Sequence, residues 1–227
     1  MKETLAKAMS ATGTLTCGLG RACVIWGLLL GSNFPAMARQ TSRMEGKPDL
    51  KITLRVYDYV GLPADVLSRS LNQTRVIFED AGIVLVPIIC TQKESPGVCH
   101  RTLDPLNIAL RIVPQGVRGT GCENLGYALG QYITVNYPGV EELADGSDAF
   151  LERILGCVVA HELGHVLLGP DSHSPAGIMT AHLTDEELRL IRAIPLTFMP
   201  FQKERIRAYV FSQSRSLARD SIALNQR

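Results

Sequence analysis

The sequence has little excess charge, no dense basic block, and no internal repeat or low-complexity tract. Its formal net charge is only +1. Because nucleic acids and anionic membranes are bound by clustered Lys and Arg, this composition gives no support for either partner. Hydrophobic residues at 46% and charged residues at 20% are typical of a globular chain, which excludes wholesale disorder.

The first part of the chain has the order of a secretory signal peptide. Scattered basic residues precede an apolar run at 22–30, and the small-x-small sequence Ala36-Met37-Ala38 follows. We therefore predict a signal peptide at 1–38, cleaved after Ala38, and a monomeric mature domain at 39–227 that is secreted or periplasmic. The apolar run is too short for a comfortable permanent membrane span, so no stable membrane association is expected after cleavage. An uncleaved amino-terminal anchor is the alternative.

Cleavage after Ala38 would leave Cys90, Cys99, Cys122 and Cys157 in the mature chain. Export would place these four cysteines in an oxidising compartment, where disulfides form. Cys90 and Cys99 flank a polar loop that contains Pro and Gly, which favours a local bridge. Cys157 lies in an apolar helical segment, as a buried thiol or as a partner of Cys122. The alternative to any disulfide is that all four cysteines are reduced.

Hydrophobic periodicity predicts a single α+β domain. Proline, glycine and capping signals delimit its helices, including a Thr-x-x-Glu capping box at Thr184. The carboxy-terminal residues, 212–227, are mostly polar and are expected to fray. The predicted strands are 51–57, 83–89, 106–113, 121–129 and 131–137, and the predicted helices are 63–81, 148–168, a helix from Thr184 to Pro195, and one from about Pro200.

The segment His161-Glu162-Leu163-Gly164-His165 carries the strongest chemical signal. Histidines four apart on a helix project from one face, where two neutral imidazoles can hold Zn²⁺. Glu162 points to the neighbouring side, where it can accept a proton from a zinc-activated water as general base. The flanking residues are apolar, so the helix is expected to be buried, and buried polar side chains need partners. A zinc ion would supply one.

The stretch from His161 to Met179 resembles the metzincins, the clan of zinc endopeptidases that includes matrixins and astacins. In that clan a glycine turns the chain after the second histidine, a third histidine returns to the metal, and a methionine turn lies beneath the site. The resemblance implies that Gly169 makes the turn, that His173 is the third zinc ligand, and that Met179 occupies the methionine turn. It also implies a mixed twisted sheet, an active-site helix and a small carboxy-terminal helical subdomain.

The spacing departs from the clan pattern, which has glycine three and the last ligand six residues after the second histidine. Leu168 and Asp171 occupy those positions here. Asp171 is therefore an alternative ligand, since some clan members use aspartate. Glu186 or Glu187 would be the ligand in a gluzincin-type arrangement, although the capping box also explains these two acids. Cys157, one turn before His161, is either a soft ligand or a packing residue.

The resulting expectation is an exported zinc metalloendopeptidase that hydrolyses peptide bonds in peptide or protein substrates. One rival is a zinc-binding protein of the same fold without catalytic activity. The other is an exported structural or partner-binding module in which the HExxH sequence is incidental.

Overall fold

The computed structural model describes residues 50–91, 97–115 and 125–225, with the side chains of 221–225 excepted. Outside these ranges lie the predicted signal peptide at 1–38 and residues 116–124, which include Cys122. The described part contains one five-stranded sheet of order β2-β1-β3-β5-β4, parallel except for the antiparallel edge pair of β4 and β5. The strands are β1 (Lys51–Asp58), β2 (Val84–Ile89), β3 (Asn107–Val113), β4 (Gly126–Leu129) and β5 (Tyr132–Asn136).

Alternation along the strands sends one set of side chains into the core. In β1, Ile52, Leu54 and Val56 are fully buried on the same face, as period-two spacing requires. The predicted strands are confirmed where the structure describes them. β4 begins at Gly126, and the earlier residues assigned to this strand, 121–124, lie outside the described part of the chain.

Helices connect the strands and pack against the sheet. The helices predicted from periodicity and capping are confirmed, and the Thr184 capping box is present. A short helix after β5 was not predicted, because its Pro138-Gly139 pair is typical of a turn, although proline is tolerated in a first helical turn. The helices are α1 (Ala64–Asp80), α2 (Tyr137–Ala144), α3 (Asp148–Leu168), α4 (Asp185–Ala193) and α5 (Pro200–Asn225).

Helix α5 extends through Asn225 into the segment 212–227. Gln, Arg, Leu and Ala in this segment are strong helix formers, and its fraying stays a prediction. The fold class itself is confirmed: an α+β domain with a mixed sheet, a helix carrying HExxH, and helices at the carboxy terminus. No helix in the described ranges is both long and apolar enough to cross a membrane.

A disulfide joins Cys90 to Cys99, with Cα atoms 5.9 Å apart, as the sequence predicted. The buried Arg55 guanidinium fixes the chain just after it, since Nε donates to Asn107 Oδ1 at 2.7 Å and Nη2 to the Thr102 carbonyl at 3.2 Å. Cys157 is a free, buried thiol, and burial raises its pKa to about 12. It is therefore a packing residue.

Helices α1 and α3 approach each other closely at Gly156. A Cβ atom at this position would lie 2.6 Å from the Ser70 carbonyl oxygen and 2.6 Å from Gln73 Cβ. The Thr74 hydroxyl donates to the Gly156 carbonyl at 3.0 Å across the same contact. The absence of a side chain at Gly156 therefore sets how closely α3 packs on α1.

We expect Gly156→Ala to lower the free energy of unfolding by about 2 kcal/mol, because the clash outweighs the gain in helix propensity. Gly97→Ala is the matched control, since a Cβ there meets nothing within 4 Å. It should change stability by less than about 0.5 kcal/mol in the same denaturant titration. Equal effects of the two substitutions would contradict the close-packing account.

Candidate metal centre

Helix α3 presents the two motif histidines at its carboxyl end. The helix ends at Gly169, whose φ of 101° favours glycine and whose N–H donates to the His165 carbonyl at 2.9 Å. The chain therefore leaves the helix one turn after His165 and can fold back over the same face.

The two imidazoles face each other through their Nε2 atoms, 3.0 Å apart. The other ring nitrogen of each lies against a backbone carbonyl: His161 Nδ1 is 2.8 Å from the Ile178 oxygen, and His165 Nδ1 is 3.3 Å from the Gly169 oxygen. A carbonyl oxygen only accepts hydrogen bonds, so the 2.8 Å contact places the proton of His161 on Nδ1 and leaves its Nε2 free to bind a metal. The Gly169 carbonyl is placed to accept from His165 Nδ1 in the same way when a metal occupies Nε2.

His173 completes the cluster. One ring nitrogen from each of His161, His165 and His173 lies within 4.8 Å of the other two. The His173 ring centroid is 4.7 Å from that of His165 and 5.4 Å from that of His161. His173 is exposed, whereas the other two are half-buried, so the cluster is open to solvent on one side.

This donor set fits a divalent cation. Burial is the main cause that lowers the pKa of His161 to about 4, and it also lowers the pKa of His165. Both rings are therefore neutral near pH 7 and can bind a cation through Nε2. Three imidazole nitrogens with an open fourth direction match the ligand number of catalytic zinc sites.

The alternative ligands lie elsewhere. Asp171 is exposed and does not join the cluster. Glu187 accepts from the Thr184 N–H at 3.1 Å in the capping box, and Glu186 pairs with Arg189 at 3.4 Å. The gluzincin-type arrangement is therefore not the one that the described residues form.

Met179 packs against Gly164, which lies between the two motif histidines on helix α3. It is fully buried, and its Sδ lies so close to Gly164 that a Cβ atom at that position would clash with it. The loop that carries Met179 is anchored to the segment between α4 and α5, because the Ile178 N–H donates to the Thr197 carbonyl at 2.9 Å. The same Ile178 residue thus anchors the loop through its N–H and orients His161 through its carbonyl.

Glu162 lies on the other side of the histidines, against the edge strand. Its side chain is buried, and this burial raises the pKa of its carboxyl group to about 7. A Cβ atom at Gly126 would come 2.9 Å from Glu162 Cγ and 3.0 Å from the Thr134 carbonyl, so glycine makes room for the carboxyl group.

A cavity of about 710 Å³ opens in front of these groups. Its wall includes residues that sequence reasoning missed: Gly139 and Leu143 on the unpredicted helix α2, and His182. Ser172 was missed too; its Oγ lies 3.1 Å from His165 Nδ1. The one sequence signal for Ser172 was its position next to His173.

No family model matches the chain, and no curated protein matches it. Among solved structures, it is similar to an archaemetzincin from Methanopyrus kandleri at 14% identity, covering 73% of this chain and 98% of that one, with a TM-score of 0.49. It is also similar to a zinc-dependent peptidase from Methanocorpusculum labreanum at 15% identity, covering 68% and 99%, with a TM-score of 0.48.

Substituting the third histidine tests the ligand set directly. We expect His173→Ala to weaken zinc binding by more than the roughly 10–100-fold that loss of an outer partner costs, since a donor nitrogen is removed. Asp171→Ala is the matched control in the same loop and should bind zinc like the unaltered protein. Competition with a chromophoric chelator measures both. The reverse ranking would make Asp171 the ligand.

Proposed function

We propose that this chain is a zinc-dependent peptidase, with His161, His165 and His173 as metal ligands and Glu162 as general base. The observation that carries the proposal is the convergence of three imidazole nitrogens, two of them 3.0 Å apart, beside a buried carboxyl group in an open cavity.

Each residue has a defined task in peptide hydrolysis. A zinc ion held by the three rings would polarise the scissile carbonyl and make a water molecule more acidic. Glu162 would accept a proton on its carboxylate and return it to the leaving nitrogen. The Ile178 and Gly169 carbonyls hold the rings in the tautomer that keeps Nε2 free.

Strand β4 supports a peptide as the substrate. It lies at the edge of the sheet, paired with β5 on one side, and borders the cavity through Gly126, Tyr127 and Ala128. An extended peptide can add to such an edge through main-chain hydrogen bonds, which would lay its backbone beside Glu162. Among the described strands, β4 is the edge strand next to the histidines.

Removal of the general base alone distinguishes a peptidase from a zinc-binding protein of the same fold without catalytic activity. We expect Glu162→Gln to lower kcat by about 10²–10⁴-fold while zinc stays bound, because an amide cannot accept the proton. Glu142→Gln is the matched control, since Glu142 lines the same cavity but is exposed and lies on α2. Cleavage of a quenched peptide library and metal content measure the two effects. Full activity in Glu162→Gln would contradict the role of this residue.

We also propose that the peptidase acts outside the cytoplasm, after cleavage of the leader at Ala38. The Cys90–Cys99 disulfide supports this location, since such bridges persist in oxidising compartments and are rare in the cytosol.

Expression in a bacterium with an intact export pathway should yield a periplasmic or secreted protein whose amino terminus is Arg39, read by amino-terminal sequencing. Replacing Ala36 and Ala38 with bulky residues should block this processing, because signal peptidase requires small residues there. An unprocessed cytoplasmic chain would contradict the export proposal and leave the metal site untouched.

A further inference from the structure

The amino-terminal half of helix α5 connects the ends of the two helices that frame the core. Arg207 Nη1 donates to the Ala81 carbonyl at 3.1 Å, just after α1. Arg205 Nη2 donates to the Leu168 carbonyl at 2.9 Å, at the end of α3. One turn earlier, Gln202 is almost fully buried, at 1% exposure, and faces the loop that carries His173.

Both ends of the Gln202 amide are engaged. Its Oε1 accepts from the Met199 N–H at 3.0 Å, the usual arrangement in which a residue in the first turn caps its own helix. Its Nε2 donates to the Ser172 carbonyl at 3.0 Å, across 30 residues of sequence. The helix cap uses only Oε1 of Gln202. Its Nε2 donor is therefore available to fix the loop that carries Ser172 and His173.

Ser172 passes this constraint to a metal ligand. Its hydroxyl is buried, and Oγ lies 3.1 Å from His165 Nδ1. When a metal occupies His165 Nε2, the proton of the ring lies on Nδ1, where Ser172 Oγ and the Gly169 carbonyl, at 3.3 Å, are both placed to accept from it. The two acceptors would together favour the tautomer whose Nε2 is free.

We propose that Gln202 and Ser172 are positioning residues for the metal site, through which α5 sets the orientation and tautomer of His165. The inference rests on the proposed metal centre, although not on peptidase activity. Outer partners of ligating histidines fix ring orientation and raise ligand basicity, so their loss weakens metal binding without removing a ligand.

The test measures zinc affinity by chelator competition on the purified chain. We expect Gln202→Leu and Ser172→Ala each to weaken zinc binding by about 10–100-fold. Ser172→Thr, which keeps the hydroxyl, should retain tight binding. Gln202→Glu keeps the acceptor for the Met199 N–H and loses the amide donor, so it should weaken zinc binding although the cap remains.

Arg207→Leu is the matched control. It removes a hydrogen bond of the same kind from the same helix, but to the end of α1. It should lower thermal stability and leave zinc affinity unchanged. Tight zinc binding by Gln202→Leu and Gln202→Glu would overturn the proposal. Loss of zinc affinity in Arg207→Leu equal to that in Gln202→Leu would also overturn it, because general loosening of α5 would then suffice.

Two further readouts separate positioning from packing. In the zinc-loaded protein, ¹⁵N-labelled histidine should show a protected Nδ1–H on His165 that shifts in Ser172→Ala and not in Arg207→Leu. The Gln202→Leu and Ser172→Ala losses of affinity should combine to less than their product, because both act through one contact, whereas a full product would contradict that route. If the unaltered protein binds no zinc, the proposed function itself fails; if it binds tightly and the Gln202 variants match it, only this inference fails.

Discussion

The Nε2 atoms of His161 and His165 lie 3.0 Å apart at the half-buried end of α3, and each Nδ1 lies beside a backbone carbonyl. Two neutral imidazoles in this arrangement present their Nε2 atoms to one point, where a single cation can bind both. The surrounding chain maintains it from several directions: Gly169 ends the helix, Ile178 donates to the Thr197 carbonyl, and the Ser172 carbonyl accepts from α5. Together these constraints hold the pair in position to bind a cation.

Close backbone approaches allow polar chemistry inside an otherwise apolar helix. Gly156 brings α3 against α1, Gly164 admits the Met179 side chain against α3, and Gly126 leaves space for the Glu162 side chain. Each of these positions would meet a clash if it carried a Cβ atom. The domain therefore buries α3 on nearly all sides and leaves open the one direction in which His173 and the cavity lie.

Local patterns carried most of what the sequence could predict. The spacing of His161, Glu162 and His165 lies within one helix, so their shared face follows from helical geometry alone. His173 was reached through a family resemblance despite a shifted spacing, and the turn at Gly169 explains how the extra residues are accommodated. Helix α2 was missed because its Pro138-Gly139 pair is typical of a turn. Gln202 could not be found at all, because its contact with Ser172 depends on how α5 packs and has no local signature.

X-ray absorption at the zinc edge distinguishes the possible ligand sets, because it reports the donor atoms of the bound metal in the absence of substrate. We expect a first shell at about 2.0–2.1 Å whose outer scattering is that of three imidazole rings. The Asp171→Ala variant should give the same spectrum, and the His173→Ala variant one ring fewer. A sulfur shell near 2.3 Å, or two rings in the unaltered protein, would contradict the three-histidine centre.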